Sequence, residues 1–327
     1  MKLATYRAGG AVRLGAVHDG DARILDLAAA ASRDGMPDAA FASMLALIDA
    51  GPSALDSART LLARHAGDGD LNSTLASVKL LSPVPEPRQI RDFSVFPGHI
   101  RQAPAGMQRL LARERGDNAA AAAVMPADDV PPVYRAQPIY YKANRFSVIG
   151  TEDVVRWPRY SQVMDFELEF GVFIGRGGAD IARSAARQHI FGFAIFNDFS
   201  ARDAQFVEMQ GMLGPCKGKD FDTGNAIGPW LVTADEIADP YALAMSVRVN
   251  GETWASGSSA DMLHGFEDMI AFVSRDETLH AGEFFGSGTM GNGCGLELDR
   301  FLKHGDVVEL EVERIGVLRN TVVRQDA

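Results

Sequence analysis

Residues 164–175 read MDFELEFGVFIG, and within them Glu167 and Glu169 alternate with Phe166, Leu168 and Phe170. In a β-strand the side-chain period is two, so both carboxylates project from one face and the apolar residues from the other. Two like charges so placed on a mostly apolar strand need a cation or a shared proton to be tolerated. Oxygen-only donors select hard ions, Mg²⁺, Mn²⁺ or Ca²⁺, over zinc. The alternative for the same pattern is a solvated outer face with no ion.

Downstream, the apolar stretch FGFAIFN ends at Asp198 and runs into SARDAQFVEMQG, which has helical character. Strand ends are common places to assemble a site. Ser200 has the spacing of an N-cap to Asp203, so a capping role competes with a functional one for Asp203. Arg202 reads as either a clamp on a substrate carboxylate or an ion-pair partner. Upstream, RDFSVFPGHIRQ brings Asp92 and His99 close in sequence in a Gly/Pro-marked segment, and His is the side chain best suited to general base work near neutral pH. His18, His65, His280 and His304 adjoin turn residues and read as exposed, while His189 and His264 read as structural. Two Gly-rich segments follow, GPCKGKDFDTGNAIGPW with Lys217 and Lys219, and FGSGTMGNGCGLEL with Thr289 and Glu297. Such loops let the backbone approach a ligand, and a Lys among them can neutralise an oxyanion. Neither matches a phosphate loop or a dinucleotide fingerprint, and the chain has no G-x-S-x-G elbow, which argues against nucleotide binding and serine hydrolysis.

Around these motifs the chain reads as mostly β. Short apolar runs at 3–6, 12–17 and 22–27 are separated by the turn pairs Gly9-Gly10 and Asp19-Gly20, predicting a small antiparallel sheet. Helical patterns at 41–48 and 54–65 end in Gly51-Pro52 and Gly67. The connector SPVPEP at 82–87 sets a boundary between a segment 1–82 and a larger one, 83–327. In the latter, strands are expected at 139–141, 164–174, 191–196, 244–249, 284–287 and 307–312, with Asn250-Gly251 as a hairpin turn because both residues accept positive φ. Residues 98–132 are helix-prone and read either as a cover over a site or as a surface insertion. The run DMLHGFEDMIAFV reads as core.

The 327 residues carry a net charge of −11, which disfavours nucleic acid and anionic membrane surfaces. The first residues contain neither a secretory pattern nor a transmembrane-length apolar run, so the cytoplasm is the expected location. Cys216 and Cys294 are expected as free thiols.

In this order, DFELEFGVFIG, NDFSARDAQ, KGKDFDTGNAIGPW and GSGTMGNGCGLEL resemble the fumarylacetoacetate hydrolase family across about residues 83–323. The resemblance implies an α+β, mostly β fold: a rolled mixed β-sandwich core with a small N-terminal β-rich domain, usually as a homodimer. It implies that Glu167, Glu169 and Asp198, with Asp92, hold Mg²⁺ or Mn²⁺ (Ca²⁺ being possible). His99 falls at the water-activating His, Glu297 at the residue orienting it, and Lys219 at the Lys that stabilises an enolate. Arg202, Gln205, Thr289 and Tyr141 fall among substrate-lining positions. Ser94 stands where the hydrolase proper has a Tyr and the span from His99 to Tyr140 is longer, departures that point to a different substrate, while Asp222 stands where the hydrolase has a Gly beside a second, structural cation, which argues against that extra cation or for a different polar contact. The expected activity is hydrolysis of a carbon-carbon bond in a β-diketo acid, with decarboxylation, tautomerisation or hydration of a keto acid as the alternative, and non-catalytic binding of a small acid as a third reading.

Overall fold

The computed structural model describes residues 1–36 and 38–325. Among them a twelve-stranded sheet forms the body of the molecule. Its main path runs through Asn72–Thr74, Arg23–Asp26, Ala11–His18, Lys2–Ala8, Asn225–Thr233, Ile190–Asp198, Leu168–Ile174, Phe284–Gly286, Ile90–Phe93 and Tyr140–Ala143. Most pairs are antiparallel, but Phe284–Gly286 runs parallel to Ile90–Phe93, so the sheet is mixed. A five-stranded sheet, from Glu252–Ser258 through Ala244–Val249, Val307–Val312 and Gly316–Arg324 to Val154–Trp157, packs against it.

Alternation along Leu168–Ile174 explains the layering. Leu168, Phe170, Val172 and Ile174 enter the core shared with Val247, Leu310 and Leu318 of the smaller sheet. There Phe170 meets Phe266 edge-on, ring centroids 5.1 Å apart, from the amphipathic helix Phe266–Val273. Phe173 points the other way, into a second core with Leu3, Leu14, Leu47 and Ile48. With both faces covered, the central strands Ile190–Asp198 and Asn225–Thr233 are buried along their whole length. The result is the α+β, mostly β sandwich that the motifs imply.

Residues 1–82 continue this sheet: Lys2 and Leu3 pair with Val232 and Leu231, and their helices Met44–Ala50 and Pro52–His65 cover its outer face. The helix Leu27–Arg33 begins where the third apolar run was expected to continue as strand, because the Asp26 side chain accepts from Ala29 N–H and caps it. The expected strand 164–174 is broken into Met164–Asp165 and Leu168–Ile174. The hairpin at Asn250-Gly251 forms, with φ of 52° and 80°. No helix among the described residues is long and apolar enough to cross a membrane.

His65, expected to be exposed, is buried, with Nδ1 2.7 Å from Asp68 and Nε2 2.8 Å from Asp34. The Asp68 hydrogen bond, reinforced by Asp34, raises the imidazole above its usual value. A raised native value adds stability that is complete below the unfolded value of about 6.5 and fades as pH climbs through the native one. His65→Gln is therefore expected to lower the unfolding midpoint strongly in mildly acidic buffer and little in alkaline buffer; a pH series of thermal melts measures the difference.

Candidate active site

Asp92, Glu167, Glu169 and Asp198 converge: one oxygen from each lies within 4.8 Å of the others, and all four residues are buried. Each arrives on a different part of the main sheet. Asp92 comes from Ile90–Phe93, Glu169 from Leu168–Ile174 and Asp198 from the end of Ile190–Asp198, while Glu167 sits in the break before Leu168 and bridges to Cys294. The solvated-face alternative for Glu167 and Glu169 is thereby excluded. Room for the cluster comes from Gly286, the partner of Asp92, since a Cβ there would lie 2.5 Å from Asp92 Oδ1 and 3.2 Å from Glu169 Oε2. Gly286→Ala is expected to weaken divalent-ion binding by about 10- to 100-fold with little change in fold, by analogy with losses of support around a metal site; calorimetric titration with Mg²⁺ reads it directly.

The charges around the cluster suit a bound cation. Asp165, Glu167, Glu169, Asp198, Asp92 and Glu297 are buried around two buried cations, Lys219 and Arg202. Lys219 Nζ lies 2.7 Å from both Glu167 and Asp198. Arg202 donates Nε to Asp165 at 2.8 Å and approaches Glu167 at 2.9 Å. Burial pushes Glu167 up, but Lys219 and Arg202 outweigh it and bring the carboxyl down to about 2. Asp92 and Glu169 lack such partners: burial first, then the charge of Asp198 on Asp92 and of Asp92 on Glu169, holds both well above the carboxylate range. Asp92 Oδ1 and Asp198 Oδ1 have no hydrogen-bond partner. Buried acceptors without donors, and two carboxyl groups that lack a counter-charge to ionise against, fit a divalent ion on hard oxygen ligands.

The remaining expected residues surround this cluster. Tyr141, opposite Asp92 in the sheet, donates its hydroxyl to Asp198 at 2.6 Å. Gly288 N–H reaches Glu169 at 2.9 Å, and Thr289 Oγ1 lies 3.4 Å from it. Gln205 accepts from Arg202 at 2.9 Å. Ser94, His99, Glu167 and Gln205 line both a cleft of about 270 Å³ and an adjoining cavity of about 320 Å³. Arg202 faces protein carboxylates first, which makes it a counter-ion of Asp165 and Glu167, and it also lines the adjoining cavity. Asp222, by contrast, is exposed.

His99 occupies the first turn of the helix Pro97–Glu114, and its Nδ1 lies 3.5 Å from Glu297 Oε1. Glu297 is on the short helix Gly295–Leu298. The two helices approach closely because residue 106 is Gly, where a Cβ would fall 2.3 Å from the Leu296 carbonyl oxygen. Of residues 98–132, His99, Ile100, Ala103, Pro104 and Met107 line the adjoining cavity, and Tyr134, just beyond the span, is tied down by His264, whose Nε2 is 2.6 Å from its carbonyl oxygen.

Two residues that place this machinery escaped the sequence reading. Asp165 accepts from the N–H groups of Gly295 and Leu296 at 2.7 and 2.9 Å as well as from Arg202, so one buried carboxylate anchors the Glu297 helix and orients the guanidinium. It shares the period-two register of Glu167 and Glu169, a signal that extending the alternation by one step would have found. Glu208 accepts from Cys216, Lys217 and Gly218 N–H at 2.7, 2.7 and 2.9 Å, fixing the turn that delivers Lys219. Ser200 is not the N-cap: its hydroxyl donates to the Asp198 carbonyl, and the Asp203 carboxylate turns away to Ser161 Oγ and Gln162 N–H, each at 2.6 Å. Both cysteines are free, Cys216 exposed and Cys294 buried.

The family model described as fumarylacetoacetate (FAA) hydrolase C-terminal matches residues 112–323. The chain belongs to the fumarylacetoacetate hydrolase family. As a member of that enzyme family it is similar to the human protein named oxaloacetate tautomerase FAHD2A, mitochondrial, with 40% identity over 190 residues, 57% of this chain and 59% of the relative. The match therefore spans less than two thirds of that relative's length. Similarity to oxaloacetate tautomerase YisK of Bacillus subtilis (strain 168) is 30% over 336 residues, 98% of this chain and 100% of the relative. Among solved structures, maleylpyruvate hydrolase from Sphingobium sp. SYK-6 in complex with manganese(II) ion and pyruvate shares the fold, with a TM-score of 0.71 at 22% identity and full coverage of both chains.

Proposed function

We propose that this chain interconverts the keto and enol forms of a small 2-oxo dicarboxylic acid of the oxaloacetate class. The observation that carries the reading is His99, backed by the buried Glu297, lining the same cleft as Asp92, Glu167 and Glu169 of the carboxylate cluster. Tautomerisation needs one group to take a proton from carbon and return one to oxygen, beside positive charge that stabilises the enolate between the two events.

Asp92, Glu167, Glu169 and Asp198 would hold the divalent ion, which supplies Lewis-acid polarisation of a substrate oxygen when bound. His99 is the proton carrier, reaching the cleft from the helix Pro97–Glu114. Glu297, its side chain buried, faces His99 Nδ1 across 3.5 Å, beyond a formed hydrogen bond but close enough for its charge to stabilise the imidazole once protonated. Lys219 holds Glu167 ionised and partly offsets the burial that raises Asp198, so both are better prepared to bind a cation. Ser94, Gln205 and Thr289 offer neutral polar groups around the cleft for substrate carboxylate and carbonyl oxygens.

The names of the human and Bacillus subtilis relatives support tautomerisation. A second reading, hydrolysis of a carbon-carbon bond in an acylpyruvate, is favoured by the same pair, because a His backed by a buried Glu also suits removal of a proton from water. A panel of oxaloacetate and acylpyruvates with Mg²⁺ or Mn²⁺, with and without EDTA and with products resolved, separates the two. Metal-dependent decay of the enol with carbon skeleton intact is the expected result; release of two acids moves the assignment to hydrolysis, and turnover unaffected by EDTA contradicts both.

A further inference from the structure

A second group of donors adjoins the carboxylate cluster and differs from it in kind. His99 Nδ1, Cys294 Sγ and a Glu297 oxygen lie within 4.8 Å of one another. The individual separations are 3.9 Å from His99 Nδ1 to Cys294 Sγ, 3.4 Å from Cys294 Sγ to Glu297 Oε2 and 3.5 Å from Glu297 Oε1 to His99 Nδ1. With metal–ligand bonds of about 2.0–2.3 Å, the edges of a tetrahedral zinc site are about 3.3–3.6 Å; the two Glu297 separations belong to different oxygens, so a turn of its carboxyl group that brings one oxygen toward both His99 and Cys294 lets the three residues share one ion. An independent feature points to a ligand there: Glu297 is 7% exposed, yet its Oε1 has no hydrogen-bond partner. Of the three residues, His99 lines the cleft, so an ion reaches the group from that side.

We propose that His99, Cys294 and Glu297 form a second cation site, selective for a borderline-soft divalent ion such as Zn²⁺, whose occupation withdraws His99 and Glu297 from proton transfer and switches the neighbouring centre off. Donor chemistry separates the two sites. Four carboxylates favour Mg²⁺ or Mn²⁺, whereas a nitrogen, a sulfur and one carboxylate favour zinc. Coordination turns the Cys294 thiol into a thiolate ligand and releases its proton. The inhibitory consequence rests on the proton-carrier role given to His99 above; the binding itself does not.

Titration of the Mg²⁺-saturated protein with Co²⁺, a spectroscopic stand-in for zinc, tests the site in a Cys216→Ser background that removes the exposed thiol. One equivalent taken up with a thiolate-to-cobalt charge-transfer band, lost in Cys294→Ser and weakened in His99→Gln, is expected. Uptake with no thiolate band places Co²⁺ on the carboxylates alone and overturns the proposal. In the tautomerase assay the Zn²⁺ concentration for half-inhibition should rise about 10- to 100-fold in Cys294→Ser; an unchanged value also overturns it. A protein that forms the cobalt band but turns over no keto acid leaves the site standing and removes the proposed reaction.

Discussion

Replacing His99 with Gln is expected to lower metal-dependent turnover by about 10²- to 10⁴-fold, the usual weight of a positioned acid-base group, while Mg²⁺ still binds and still raises the unfolding temperature. The separation follows from geometry. His99 is outside the four-carboxylate cluster and stands on the helix Pro97–Glu114, not on the strands that carry the ligands. Gln keeps roughly the length and polarity of the side chain but cannot shuttle a proton near neutral pH. Paired measurements of turnover and of Mg²⁺-induced stabilisation read the two properties apart. A His99→Gln protein within a few-fold of the wild-type rate would remove His99 from the mechanism, and loss of Mg²⁺ binding would make it a structural support of the cluster instead.

The second large effect concerns stability. Lys219→Met is expected to cost about 3–5 kcal/mol of unfolding free energy in EDTA, because removing one partner of a buried ion pair leaves charge uncompensated. Lys219 is 3% exposed and serves two carboxylates at once, Glu167 and Asp198 at 2.7 Å each. Saturating Mg²⁺ binds the native state only and should recover part of the loss by mass action, so the difference from wild type narrows when the ion is present. Denaturant melts with EDTA and with excess Mg²⁺ measure both. Equal stability of variant and wild type in EDTA would show that Glu167 and Asp198 are neutral without the Lys, and would contradict the ion pairing assigned to them.

The placement of these groups was partly legible before any coordinates. Alternation put Glu167 and Glu169 on one face, and the end of an apolar run put Asp198 at a strand terminus; both readings concern neighbours in sequence, where a period suffices. Partners far apart in sequence were not legible from periodicity. The strand Asn225–Thr233 contains Gly228 and Pro229, which broke its pattern, yet it lies at the centre of the sheet. A Pro is tolerated there because the register with Ile190–Asp198 shifts between Phe193 and Ile195, next to the Gly228 pairing, leaving a gap in the ladder where a missing N–H costs little. Residues 3–6 were readable as strand, but their pairing with 231–232 was not, since edge complementarity leaves no periodic trace. Ser200 and Asp203 misled for a different reason. Their spacing matched a capping box, but Asp203 found better donors in the loop at 161–162.

The site shows the same division. Carboxylates and His99 could be picked out by residue type and motif order, whereas the clamp of Glu208 on three backbone N–H groups depends on a loop conformation that composition does not encode. Cys294 was read only as a free thiol, and its position between His99 and Glu297 emerged when the Gly-rich segment folded back against the helix Pro97–Glu114.

Proton transfer at carbon, dependent on both the ion and His99, is the central claim, and it is read most directly by exchange of the C3 hydrogens of oxaloacetate with deuterated solvent, followed by proton NMR. The Mg²⁺-loaded wild type should exchange them faster than enzyme-free solution, and EDTA or His99→Gln should return the rate to that background. Exchange at the enzyme-free rate in the loaded wild type, or undiminished exchange in His99→Gln, would contradict it.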